Sequence, residues 1–220
     1  KTPGRGLALG PWFGSSPLQT AAIRQAKYPE MPAYPDENSP NFISQWDAWW
    51  EAKQANRQEE GFSASLDSCW RQCLPVFLSG QEGENAVCSP LNIYLSLAML
   101  AELTGGDSRE QILSLLGSET IEDSRDLAHR VWNYLYVDDG AGTVIPASSL
   151  WLREDIGYVE ETMDLLAENY YASSFKGEMG SAEMDQALQG WLNDQTGGLL
   201  EREAGDIHLS QDTVLALACT

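Results

Sequence analysis

The sequence predicts a mixed α and β body of the α+β class, and three observations lead there. Apolar residues recur three and four positions apart in several separate segments, the mark of helices that bury one face. Residues 85–106, NAVCSPLNIYLSLAMLAELTGG, are nearly all apolar and carry a start and a stop signal, so a helix surrounded by protein is expected there. Two short runs, VIPASSLWL and TVLALACT, have the length and residue types of strands.

The totals set the bounds. With 220 residues, 43% of them hydrophobic, there is ample core for one large domain or two small ones. Lys+Arg number 13 against 33 Asp+Glu, a formal net charge of -20 that excludes nucleic acid and anionic membrane as expected partners. The carboxylates are scattered without calcium-loop spacing and read as solvated surface. Cys69, Cys73, Cys88 and Cys219 make no C-x-x-C pair, so buried thiols are expected instead of a zinc site or a disulfide framework. No apolar span reaches transmembrane length, and the start at Lys1, without methionine or signal peptide, reads as trimmed.

In chain order, residues 1–60 read as a Pro-rich arm ending in a Trp-rich helix, and 61–220 as the body. Seven of the 10 prolines lie in the arm and forbid regular structure until Pro40. Trp12, Phe13, Tyr28, Met31 and Tyr34 would dock it on the body. Residues 44–58 follow as a helix with Trp46, Trp49 and Trp50 at i, i+3 and i+4, a stripe expected in the core, with carbohydrate stacking as the alternative. Leu66, Cys69, Trp70, Cys73, Leu74 and Phe77 then define an amphipathic helix that Pro75 bends. A turn at 80–83 and a short strand at 85–88 lead into the central helix, which Ser89 caps and Pro90 starts. On it Ser89, Asn92 and Ser96 share one polar stripe at i, i+3 and i+7. Buried hydroxyls and amides need partners, so a neighbouring element must offer hydrogen bonds along that stripe, and such a network is a place where two arrangements compete.

After Gly105-Gly106, Ser108 and Gln111 read as a capping box for a helix carrying Ile112, Leu115 and Leu116 and closed by Gly117. Residues 123–136 form a helix with Leu127, Ala128, Val131, Trp132 and Leu135 inward, broken by Asp138-Asp139-Gly140. The strand at 144–152 is restricted by Pro146 to an edge, a bulge or its first positions. A helix at 159–171 buries Met163, Leu166 and Tyr170, and a brief strand follows at 174–176. Met184, Ala187, Leu188, Trp191 and Leu192 mark one more helix, ending near Thr196-Gly197-Gly198. The run TVLALACT, which opens at Thr213 and closes at Thr220, is expected to be a buried strand.

No catalytic constellation emerges. His129 and His208 are far apart with no nucleophile pattern beside them, and hydrolase-elbow, zinc-protease, P-loop and dinucleotide motifs are lacking from the sequence. Carboxylate pairs such as Glu160-Glu161 read as solvated helix faces. No enzyme activity, cofactor or metal is expected.

The order of segments, more than any one of them, resembles the serpin family. NAVCSPLNIYLSLAMLAELTGGDSREQI is similar to that family's strand, Ser-Pro, buried helix, glycine pair and next helix. ASSLWL resembles its second sheet-A strand, LAENYYASSF its fifth helix and following strand, ALQGWLNDQTGGLLE its sixth helix with the T-x-G turn, and TVLALACT its third sheet-A strand. The likeness covers about residues 62–220 and leaves the arm unexplained.

The resemblance implies helices packed on part of a large, mostly antiparallel sheet A, in a chain that stops within the third strand and lacks the reactive loop. It further implies a secreted inhibitor of serine or cysteine proteases, whose reactive loop is cleaved and inserts into sheet A. Ser89, Asn92 and Ser96 would then lie beneath the sheet, facing Cys219 where strands must part, and the helix at 181–196 would cover the other face. The family usually has asparagine at Cys219 and often at Ser148, so the network here must be built differently. Implied partners are a target protease, and the remainder of the fold or another copy against the edge between Thr213 and Thr220. Asp123, Asp126, Asp138 and Asp139 stand where heparin-activated relatives are basic, so no heparin binding is expected. The arm and the lack of disulfides suggest a bacterial source. A non-inhibitory serpin-fold binding or chaperone-like protein and a carbohydrate-binding module using Trp46, Trp49 and Trp50 are the alternatives.

Overall fold

A mixed four-stranded sheet with helices on both faces organises the computed structural model, which describes residues 21–79, 83 and 87–220. Its strands are β1 (Ala22–Arg24), β4 (Ser148–Arg153), β5 (Ala172–Gly177) and β6 (Leu215–Cys219), in the order β1-β5-β4-β6. β4 and β5 run parallel, joined by a crossover through helix α6 (Glu160–Asn169), while β1 and β6 add antiparallel strands at the two outer edges.

Side-chain alternation along the strands makes two cores. Leu150, Leu152, Ala172, Leu215, Leu217 and Cys219 point to the larger one, built with α2 (Ala64–Phe77), α3 (Pro90–Leu103), α4 (Gly106–Leu116), α5 (Ile121–Leu135) and α6. Trp151, Phe175, Ala216 and Ala218 point the other way, onto α7 (Ala182–Gln195) and the short α8 (Glu201–Ala204). The α+β class is that expected, as is the order of α1 (Phe42–Ala55) to α7, β4, β5 and β6, whereas β1, β2 (Val137–Asp138) and α8 lie outside the expected set.

Several local expectations are corrected. The arm is not free of regular structure before Pro40, because β1 pairs with β5 at Ala22↔Phe175 and Arg24↔Ser174. Helix α1 (Phe42–Ala55) exists, but none of its residues is buried: Trp46 is 38% and Trp50 50% exposed, so the tryptophan stripe is not core. Helix α4 starts at Gly106 without the Ser108 capping box; Gly105 is extended and Gly106 takes φ 56, a turn tight enough to bring α3 directly into α4. The capping box in fact belongs to α5, where Thr120 and Asp123 bond each other's backbone, and the helix begins at Ile121. Residues 144–152 divide at Pro146 into β3 (Thr143–Val144), paired with β2 (Val137–Asp138), and β4. Phe77 is 55% exposed instead of inward. Strand β6 is half-buried along its whole length, not buried, because it is an edge strand. Trp12 and Phe13, and most of the turn and strand expected at 80–88, lie outside the described residues.

Candidate functional site

Helix α3 is laid out as its apolar run demands. Ser89 accepts a bond from Asn92 N at 3.3 Å, Pro90 occupies the first turn, and Tyr94, Leu95, Ala98, Met99 and Ala101 are buried. The other face, with Asn92, Ile93, Ser96 and Leu97, is half-buried, so the helix is not enclosed on all sides.

That half-buried face meets β6. Asn92 and Ser96 are four residues apart and therefore stand one above the other on the helix. Asn92 Nδ2 donates to the carbonyl of Cys219 at 3.3 Å, and Ser96 Oγ lies 3.1 Å from Cys219 Sγ. On the neighbouring strand Ser148 is the register partner of Cys219, with Oγ 3.3 Å from the same sulfur. A single thiol is thus shared by a helix hydroxyl and a strand hydroxyl while its own carbonyl is held by an amide. Burial pushes the Cys219 thiol up, and the two hydroxyls, which favour the thiolate, offset that only in part. The sulfur stays a neutral S–H that can give one bond and receive one. Ser89 does not share in this network; it is exposed and spends its hydroxyl on the helix cap, so only Asn92 and Ser96 of the expected stripe reach the strand.

An apolar groove of about 510 Å³ runs alongside, lined by Cys73, Val76, Phe77, Ile93, Leu97 and Cys219 among others. Val76 is 69% exposed at its rim. On the opposite face of the sheet, α7 seats Trp191, Leu188 and Met184 against Trp151 and Phe175.

Two polar centres escaped sequence reading. Arg125 binds Glu102 through two nitrogens at 2.8 and 3.0 Å, and Tyr170 donates to the same carboxylate at 2.8 Å, tying α3, α5 and the end of α6 together. Asp139, expected on an acidic surface, is buried instead; its oxygens accept from the backbone of Ala141 and Gly142 and from the Trp49 indole at 2.9 Å. The Glu102 centre has no spacing signal, since it joins residues distant in the chain; Asp139 bonds the turn that follows it, a local signal, but its Trp49 partner lies ninety positions away. The histidines are structural in setting: His129 stacks on Tyr171, and His208 lies 2.8 Å from Asp185. Among the described residues there is no group of three or more His, Cys, Asp or Glu that could hold a metal ion, and no helix is long and apolar enough to cross a membrane.

Residues 74–220 match the model of the serpin (serine protease inhibitor) family. The chain belongs to the serpin family. Among curated relatives, Serpin-ZX of Arabidopsis thaliana is 22% identical over 130 residues, covering 57% of this chain and 33% of the relative. Serpin-ZXA of Oryza sativa subsp. japonica is 26% identical over 133 residues, 58% of this chain and 34% of its own length. Of solved structures, human glycosylated kallistatin superposes with TM-score 0.61 at 21% identity, covering 70% of this chain and 42% of that one. The thermophilic serpin tengpin in its native state gives TM-score 0.58 at 20% identity over 90% of this chain and 45% of its own. The serpin body described above is thus an N-terminal portion, spanning about a third of the length of the curated relatives.

Proposed function

We propose that this chain is the N-terminal part of a secreted serpin that inhibits serine or cysteine proteases by reactive-loop insertion, and that the α3–β6 network sets how readily its sheet opens. The observation that carries the reading is the Cys219 thiol held between Ser96 and Ser148 beneath the edge strand. In the family fold the cleaved loop enters as a strand beside this one, and each neutral contact under it is worth on the order of 1 kcal/mol, a latch soft enough to release. A thiol in the place usual for asparagine offers weaker hydrogen bonds than an amide, which favours easier opening. Helix α7, seated on the other face of β4 and β6, has to shift for the strands to part. In this reading 61–220 is body and 1–60 an added arm, and the remainder of the fold covers both the β6 edge and the apolar groove.

The test is incubation of the full-length parent with trypsin-like, chymotrypsin-like and elastase-like proteases. An SDS-resistant complex with at least one of them is expected. Clean cleavage of the parent without any such complex would sink the inhibitor reading in favour of a non-inhibitory serpin.

A further inference from the structure

The arm, which the family match does not include, lies in a track suited to an extended basic peptide. Its backbone extends the sheet through β1, then Ala26 N bonds Ser173 Oγ at 3.0 Å, Lys27 N bonds Ala167 O at 3.3 Å and Tyr34 N bonds Asp139 O at 2.7 Å. Its side chains read α6 in register. Arg24 reaches Glu160 at 2.7 Å and Asp164 at 2.6 Å, and Lys27 reaches Glu168 at 2.6 Å. Those carboxylates stand at i, i+4 and i+8 on one helix, a like-charged row that repels itself unless cations lie along it. Tyr28 then stacks on Trp132 with centroids 5.6 Å apart and donates to Gln195 Oε1 at 3.1 Å, and Met31 packs on the same aromatic cluster.

Beyond Tyr34 the hold weakens. Helix α1 has no buried residue, and among the described residues one side-chain hydrogen bond, Trp49 to Asp139, joins it to the body. Residues 35–61, counting α1 as helix and the rest as extended, reach about 60 Å. That span lets the docked segment leave its own body and lie on another.

We propose that the track formed by α6, the outer edge of β5 and the Trp132–Tyr136 cluster also accepts residues 22–34 of a second copy, so that two molecules exchange arms into a dimer. The contacts are identical in the closed monomer and in the exchanged pair, so concentration and the linker decide between them. The ion pairs are largely exposed, the Lys27 and Glu168 side chains each 56%, so salt weakens both forms.

Charge reversal tests this on the whole chain. One variant carries Arg24→Glu with Lys27→Glu; a second carries Glu160→Lys, Asp164→Lys and Glu168→Lys. Each alone should be monomeric, and a mixture should form a 1:1 heterodimer by native mass spectrometry, since both exchanged arms are matched only across molecules. A chain bearing all five substitutions restores the match within one molecule and should show the parent's own balance of monomer and dimer at the same concentration. A mixture that stays monomeric while both variants keep the parent circular dichroism overturns the proposal. Should either variant fail to fold, a labelled peptide of residues 21–34 and the same peptide with Arg24→Glu and Lys27→Glu are titrated onto the parent. Binding of the first that falls with salt, with the second about tenfold weaker or more, supports exchange; equal or absent binding refutes it.

Discussion

Replacing Cys219 by alanine isolates the thiol from the rest of the α3–β6 contact. The Asn92 amide bonds the Cys219 carbonyl and survives the change, so only the two sulfur contacts are lost. Their costs differ. Ser148 is 1% exposed and cannot turn to water, so its hydroxyl is left buried and unpaired, at about 1–2 kcal/mol. Ser96 is half-buried and can rehydrate. Adding roughly 0.5 kcal/mol for the lost sulfur packing, the variant should be destabilised by about 2 kcal/mol. For a chain of 220 residues that is a fall in Tm of roughly 4–8 °C. Urea unfolding followed by far-ultraviolet circular dichroism measures it, with Cys219→Ser as the partner variant. Serine keeps a donor and acceptor at the site and should lose less than half as much. An alanine variant within about 0.3 kcal/mol of the parent, or a serine variant as damaged as alanine, would refute the view that the polar contacts hold this strand.

Further outcomes follow from geometry elsewhere. Gly180 has φ 78, and a Cβ there would sit 2.6 Å from Gln211 Cγ and 3.0 Å from its backbone nitrogen, so Gly180→Ala should cost about 2–4 kcal/mol in urea unfolding. Gly190, with nothing within 4 Å of its added Cβ and a place inside α7, is the control: Gly190→Ala should be neutral or stabilise by up to about 1 kcal/mol. Burial raises Asp139, but the Trp49 indole, two backbone N–H groups and Lys53 outweigh it and hold the carboxyl below its ordinary value. Its contribution is therefore fully present above the unfolded value of about 4 and lost as pH falls through the lower folded value. Tryptophan fluorescence in the parent should accordingly be flat from pH 8 to 5 and change only below about pH 4, a low-pH step that Asp139→Asn diminishes. Trp46→Ala and Trp50→Ala, at exposed positions, should each shift stability by about 0.5 kcal/mol or less; a loss of 3 kcal/mol would mean the rings are core after all.

Periodicity identified α2, α5, α6 and α7 because each buries a stripe that only a 3.6-residue repeat can align, while α3 was legible from its apolar run, and Ser89-Pro90 and Gly117 marked ends through local backbone chemistry. The same logic misplaced Trp46 and Trp50. A helical aromatic stripe says that one face is apolar; whether another surface lies against it is a property of the rest of the molecule, and here, among the described residues, only Trp49 hydrogen-bonds to the body, at Asp139. Likewise, proline count argued against structure in the arm, yet the Pro-free segment from Ala21 to Tyr28 is long enough for a strand once β5 offers an edge.

What the sequence determined by itself, then, is most of the helices, the central strands and their order, and through that order the serpin family; local spacing encodes both, whereas β1, β2 and α8 carry no such signal. It also put Asn92, Ser96 and Cys219 forward together, on the strength of family order. Tertiary structure decided the rest: that Ser89 is spent on its own helix cap, that Ser148 joins the thiol through strand register, that Glu102 meets Arg125 and Tyr170, and that Arg24 and Lys27 bind the carboxylate row of α6. Each of these pairings except the cap spans more than twenty residues. Nothing in the local chain specifies such a meeting, because it comes about only when sheet register and helix packing bring the two partners to the same place.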